Sequence, residues 1–142
     1  MTVSVVKLRG YKRGNNTVGI YKHSNGIIKG LKGLVSEWQQ LGSDIDGETA
    51  GDWSGRSVSL STDGTTVAIG ANFNDGTGSS AGHVRVYTYS GSAWTQLGSD
   101  IDGEAATDQS GYSVSLSGNG SRVAIGAIFN DGGGSNRGPV ST

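Results

Sequence analysis

Two acidic segments of identical spacing are where this sequence could do chemistry: Asp44-x-Asp46-Gly47-Glu48-x-x-x-Asp52 and Asp100-x-Asp102-Gly103-Glu104-x-x-x-Asp108. Each gathers four carboxylates around a glycine that lets the chain bend. Bent, oxygen-rich loops suit calcium, which takes about six to eight oxygen ligands. A second reading fits the same residues: Asp-Gly makes a turn, and the other acids accept hydrogen bonds from exposed backbone N–H groups. The spacing does not match an EF-hand loop. A further pair of segments, Asn74-Asp75-Gly76-Thr77-Gly78 and Asn130-Asp131-Gly132-Gly133-Gly134, offers more oxygens in glycine-rich loops. Trp53 stands beside the first acidic segment, with Gln109 at the matching place in the second.

Catalysis finds little support, and the expectation is a non-enzyme. There is no cysteine, which excludes thiolate nucleophiles, thiolate metal sites and disulfides. The two histidines are His23 and His83. His83 is matched by Pro139, so it is not a repeated ligand, and it is expected as a surface strand residue. No Gly-x-Ser-x-Gly elbow is accompanied by a triad. Paired carboxylates occur only in the acidic segments, and two acids alone are weak grounds for glycoside chemistry.

The elements that must position these groups follow from internal repetition. Residues 38–84 and 94–140 align without a gap at an offset of 56 and are identical at 33 of 47 positions. In each copy, an alternating segment comes first: Ser57-Val58-Ser59-Leu60-Ser61 has the period of a half-buried strand. Asp63-Gly64, or Asn119-Gly120 in the copy, is a short-hairpin signal. Thr66-Val67-Ala68-Ile69-Gly70-Ala71 follows, then His83-Val84-Arg85-Val86-Tyr87-Thr88-Tyr89, a turn at Ser90-Gly91-Ser92, and Trp94-Thr95-Gln96-Leu97. Four such strands with short turns make an antiparallel meander. A period of 56 suits a four-stranded propeller blade, somewhat above the roughly 40–50 residues of common propeller repeats. The fold class is therefore all-β: a partial β-propeller of four-stranded antiparallel meander blades with a 56-residue repeat. The small residues Ser59, Ala68, Gly70 and Ala71 fit strands that neighbouring blades approach closely. Trp38 and Trp94 recur at one position and read as blade-packing residues.

At these residues the chain resembles FG-GAP repeats, the units of the integrin-α propeller. Ser54-Gly55 and Ser110-Gly111 stand at the family's FG, with the aromatic lost. Gly70-Ala71-Asn72 and Gly126-Ala127-Ile128 stand at its GAP, with the proline lost. The run SGYSVSLS…VAIGA keeps the spacing between the two motifs, and the resemblance covers about residues 38–142. It implies an extracellular or cell-surface module with a protein or glycan ligand. Many such repeats bind calcium in an Asp-x-Asp/Asn-x-Asp-Gly loop between their first two strands. Here that connection is Ser61-Thr62-Asp63-Gly64 or Ser117-Gly118-Asn119-Gly120, too short and with at most one carboxylate, so that site is not carried over.

In a meander, alternate connections lie at one end. The acidic linkers and the Asn74 and Asn130 loops are therefore expected to share one face, with the Asp63 and Ser90 turns on the other. That acidic rim, with Trp53, Asn74, Asp75, Asn130 and Asp131, is the expected ligand face, since binding residues concentrate on loops held by a rigid scaffold. Its alternative is a merely solvated surface.

The 142 residues hold 26 glycines, one proline and 33% hydrophobic residues, which suits turns and close backbone contacts rather than a collagen-like chain. They divide into a basic lead-in over 1–37, repeat 1 over 38–93 and a truncated repeat 2 over 94–142. Seven cations precede the first acid, Glu37; the rest has four arginines and twelve acids. The lead-in reads either as a solvated basic run or as a degenerate blade piece, with strands at Thr17-Val18-Gly19-Ile20-Tyr21 and Gly26-Ile27-Ile28-Lys29, the latter at the third-strand offset. It has no nucleic-acid motif, and no nucleic-acid partner is expected. No apolar run is long enough to span a bilayer, and the N-terminus lacks the apolar stretch of a secretory signal. Propellers have about four to eight blades, and repeats bury their faces by stacking. The expected partners are thus further blades in cis, in a longer repeat protein, or copies of the chain in trans. Three functions are open: adhesion or recognition, a lectin-like sugar binder using Trp53 and the acidic rim, and an accessory propeller domain of a secreted hydrolase.

Overall fold

Alternation of β-branched with small or polar residues favours strands. The computed structural model describes residues 2–3, 6–7, 39–132 and 140–141. Trp38, His23 and the strands expected at residues 17–21 and 26–29 lie outside them. Among the described residues every regular element is a strand: β1 (Thr2–Val3), β2 (Val6–Lys7), β3 (Gln39–Gln40), β4 (Ile45–Asp46), β5 (Ser57–Leu60), β6 (Thr66–Ala71), β7 (His83–Tyr89), β8 (Trp94–Gln96), β9 (Ile101–Asp102), β10 (Ser110–Leu116), β11 (Val123–Ala127) and β12 (Val140–Ser141). The fold is all-β, and every pairing between these strands is antiparallel.

One five-stranded sheet runs in the order β5-β6-β7-β8 with β9 also on β7; β5, β6 and β7 come from the first copy, and β8 and β9 open the second. Strand β7 is long enough to carry a second partner: β8 covers its end at Tyr87–Tyr89, and β9 returns to pair His83 with Asp102 and Val84 with Ile101. Gly98, at φ 78°, lies on the connection between them. The acidic linker therefore begins inside the sheet, which the meander reading had not anticipated. At the other end, β3 pairs with β2 and β4 with β1. Thr2, Val3, Val6 and Lys7 thus stand toward β3 and β4 as His83, Val84, Tyr87 and Thr88 stand toward β8 and β9. In the second copy β10, β11 and β12 form a sheet, with a bulge between Ser110 and Ser113.

Each face of the first sheet has its own core. Val67, Ile69 and Tyr87 pack with Ile45 and the half-buried Trp94. Trp94 also donates from Nε1 to the Leu41 carbonyl at 2.6 Å and tilts against Tyr89, consistent with a packing role. The opposite face, Ala68, Val84 and Val86, meets Ile125, Val114, Leu116 and Val123 of the second copy. Burying a residue such as Val or Ile contributes about 1.5–3 kcal/mol, so the two copies hold each other through this layer. The approach is close where the small residues lie. Ser57 Oγ donates to the Gly111 carbonyl at 2.7 Å, and Leu116 N donates to Ser59 Oγ at 2.9 Å. Gly111 lies directly on Gly70, where a side chain on either would collide with backbone.

The β5–β6 turn is held by Asp63, whose carboxylate accepts from Ser61 Oγ (2.7 Å), Thr65 N (3.0 Å) and Thr65 Oγ1 (2.9 Å). These bonds, Ser61 foremost, lower its pKa from 3.8 to about 2. The folded value lies below the unfolded one, so their stabilisation is present above about pH 3.8 and is lost as pH falls through about 2. Asn119 takes the same bonds from Ser117 Oγ, Ser121 N and Ser121 Oγ and does not titrate. An NMR titration of side-chain carboxyl carbons should find Asp63 near 2, and Asp63→Asn should remove that step with the turn intact. A midpoint at the ordinary aspartate value would contradict the bonding.

Candidate functional site

The linkers and the β6–β7 loops do come together, and the same wiring is built twice. Asp52 Oδ2 accepts from Thr49 N at 3.2 Å and Asn74 Nδ2 at 2.9 Å, and Asn74 Nδ2 also reaches Glu48 Oε2 at 3.2 Å. In the second copy Asp108 Oδ2 accepts from Ala105 N at 3.0 Å and Asn130 Nδ2 at 2.9 Å, and Asn130 Nδ2 reaches Glu104 Oε2 at 3.3 Å. Asn74 Oδ1 accepts from Gly76 N, and Asn130 Oδ1 from Gly132 N. Asp52, Asn74, Asp108 and Asn130 are all buried. Their polar atoms tie each linker to its loop, an arrangement that holds backbone rather than presenting oxygens to solvent.

The units are also joined in a strip. The loop after β6 lies between both linkers: Phe73 N donates to the Asp52 carbonyl on one side, while Thr107 N, Gln109 N and Ser110 N donate to Ser79, Ser80 and Ala81 carbonyls on the other. Thr77 Oγ1 donates to the Gly103 carbonyl at 3.0 Å. The sequence Gly78-Ser79-Ser80-Ala81-Gly82 within this loop has the spacing of a nucleophile elbow, and Ser80 has φ 53°. A nucleophile elbow joins a strand to a helix; here the segment leads into strand β7, and Ser80 N is bound by Asp75 Oδ1 at 2.7 Å.

His83 was expected at the surface; it is 1% exposed. It opens β7 where β9 pairs beside it, and the first linker brings Glu48 across its face. His83 Nδ1 lies 3.4 Å from Asp100 Oδ2 and 3.8 Å from Glu48 Oε2. Burial pushes its pKa below the ordinary value; Asp100, Glu48 and Asp102 oppose that, while Arg85 adds to it. Two residues on, Arg85 is also buried: Nη2 donates to the Asp46 carbonyl at 2.8 Å, and Nη1 lies 3.7 Å from Glu48 Oε1.

The other feature of the strip is a cleft of about 420 Å³ lined by residues that include Thr49, Trp53, Phe73, Asp75, Ser79 and Ser80. Trp53 is 52% exposed and meets Phe73 edge-on at 4.8 Å. Its backbone is left-handed at φ 57°, but so is that of Gln109 at 54°. The strain therefore belongs to the turn, and the indole is specific to the first copy.

The remaining candidates divide. Gln40 Nε2 holds Asp44 Oδ1, and Gln96 Nε2 holds Asp100 Oδ1, both at 2.6 Å. Asp46 and Asp102 sit in β4 and β9. Glu104 belongs to the second wiring unit, and Asp131 is exposed. Glu48 and Asp100, from different linkers, converge on His83. Sequence reasoning missed His83 and Arg85. The available signal was His83-Val84-Arg85-Val86-Tyr87, in which polar residues alternate with valines on a strand whose two faces are both covered.

Comparison with known proteins returns one finding. The family model for the FG-GAP repeat matches residues 44–87 and 100–142. No curated protein and no solved structure matches the chain.

Proposed function

The chain belongs to the FG-GAP repeat family, and from that premise we propose that it is a non-enzymatic recognition or adhesion module of an integrin-α-like β-propeller. FG-GAP repeats typically occur in extracellular or surface proteins, and the proposal gives this one the same setting. The observation that carries it is the doubled linker–loop unit, Asp52–Asn74–Glu48 and Asp108–Asn130–Glu104, joined into one strip on a rigid sheet edge. Such preorganisation lowers the entropy lost on binding. The propeller architecture is supported by sheets that stack face to face. It is also supported by the pairs Gly70↔Val84 and Gly126↔Val140, which stand 56 residues apart. Val58 and Leu60 are exposed on β5, which suits further blades in cis or a second copy in trans.

A second reading, a lectin-like module, is favoured by the Trp53 cleft. An exposed indole stacks on a sugar face while Asp75, Ser79 and Ser80 offer hydrogen bonds to hydroxyls. The test of both is binding of the chain to a glycan array and to immobilised extracellular-matrix proteins, with Trp53→Ala alongside. The expected result is a ligand from one panel whose affinity falls at least about tenfold in the variant, the ~1.4 kcal/mol or more of a buried aromatic contact. Undiminished binding by Trp53→Ala would remove the cleft from the reading, and silence on both panels would count against recognition itself.

A further inference from the structure

His83 presents Nδ1 to two carboxylates from different linkers, Asp100 Oδ2 at 3.4 Å and Glu48 Oε2 at 3.8 Å. The ring is 1% exposed, and among the described residues Nδ1 has no hydrogen-bond partner. A buried polar atom without a partner is costly, so the corner is incomplete as it stands. The three donor atoms lie within 4.8 Å of one another. A tetrahedral ion about 2.1 Å from each ligand sets its ligands about 3.4 Å apart, close to the spacing of the imidazole and the Asp100 carboxylate. We propose that Glu48, His83 and Asp100 form a binding site for a divalent transition-metal ion of the zinc type.

The rest of the corner supports this. The second oxygen of each carboxylate is already engaged: Asp100 Oδ1 accepts from Gln96 Nε2 at 2.6 Å, and Glu48 Oε1 faces Arg85 Nη1 at 3.7 Å. Partners of this kind orient metal ligands. Asn74 Nδ2 on Glu48 Oε2 uses one lone pair and leaves another. Glu48, Asp100 and Asp102 against Arg85 leave a charge of −2 around the ring, the complement of a divalent cation. The nitrogen donor separates the site from calcium, which prefers oxygen throughout. Three protein ligands leave a fourth position for water, and the exposed Glu48 gives the ion a route in from solvent. The second copy has Pro139 at the matching position and supplies no such nitrogen, so the ion sits once, bridging the two linkers.

Zinc titrated into the full chain by calorimetry should bind with one ion per chain and more tightly than calcium. Cobalt(II) in its place should show the visible absorption of tetrahedral coordination. Because His83→Gln alters a buried residue, the deciding variant is Glu48→Gln at the surface. It should melt like the parent, yet bind zinc at least about a hundredfold more weakly, since even partners one shell out are worth about 10–100-fold. Glu104→Gln, the matching change in the second copy, should leave zinc affinity unchanged, as should His23→Gln. The proposal is overturned by any of three results: no zinc binding to the folded chain, calcium binding more tightly than zinc, or zinc affinity indifferent to Glu48→Gln and Asp100→Asn.

Discussion

Gly70→Ala should cost about 3 kcal/mol or more of folding stability, while Gly126→Ala, the same change at the matching place in the second copy, should cost less than about 1 kcal/mol. The difference lies in what a Cβ would meet. At Gly70 it would enter the space of the Gly111 carbonyl oxygen and come within 3.0 Å of the Gly111 carbonyl carbon. That is backbone from the second copy, itself fixed by the Ser57 Oγ hydrogen bond and by the β10–β11 ladder. Relief requires moving one sheet off the other, with loss of the layer around Ala68, Val84, Val86 and Ile125. At Gly126 the near atom is the Ser113 hydroxyl, with the Ser113 carbonyl out at 3.9 Å. A serine rotamer can turn away, and alanine recovers some of the chain entropy that a strand glycine loses. Urea denaturation of both variants against the parent decides it. Equal costs would mean that the glycines are retained for backbone conformation rather than for the contact between copies.

The same pair of glycines marks how far the sequence is readable. A duplicated pattern with period-2 alternation was enough to place β5, β6, β7 and β8, and their antiparallel order follows from short turns. Alternation does not say which face will be covered. In β5 the serines Ser57 and Ser59 turn toward the second copy while Val58 and Leu60 are 47% and 45% exposed. In β10 the same pattern reverses: Ser113 and Ser115 are exposed, and Val114 and Leu116 pack on the first copy. Identical sequence has opposite burial because each copy has a neighbour on one side alone among the described residues. The candidate site was legible in its acids and loops, which share an edge because meander connections alternate. It was not legible in His83, whose burial depends on β9 and the first linker closing over the start of β7, a tertiary event that no local pattern encodes.

Asn74→Ala should be the most damaging change on the rim, at about 2–4 kcal/mol, with Asn130→Ala comparable in the second copy. Asn74 is buried and spends both ends of its amide: Nδ2 on Asp52 Oδ2 and Glu48 Oε2, Oδ1 on Gly76 N. Truncation leaves the Asp52 carboxylate, only 5% exposed, with the Thr49 N–H and no side-chain donor in place of the amide. Hydrogen bonds to charged groups contribute about 1.5–3 kcal/mol, and a buried carboxylate stripped of a donor adds its own desolvation. Removing the carboxylate as well should then recover part of the loss. Asp52→Ala/Asn74→Ala is expected to cost less than the sum of the single changes, by about 1–3 kcal/mol of coupling. A denaturant double-mutant cycle measures that coupling, and strictly additive costs would sink the claim that the two residues act as one unit. The coupling matters beyond stability, because the amide that holds Asp52 also holds Glu48. A rim that loosens when Asn74 is lost would also misplace the carboxylate facing His83, so folding stability and the zinc affinity proposed for this edge draw on the same hydrogen bonds.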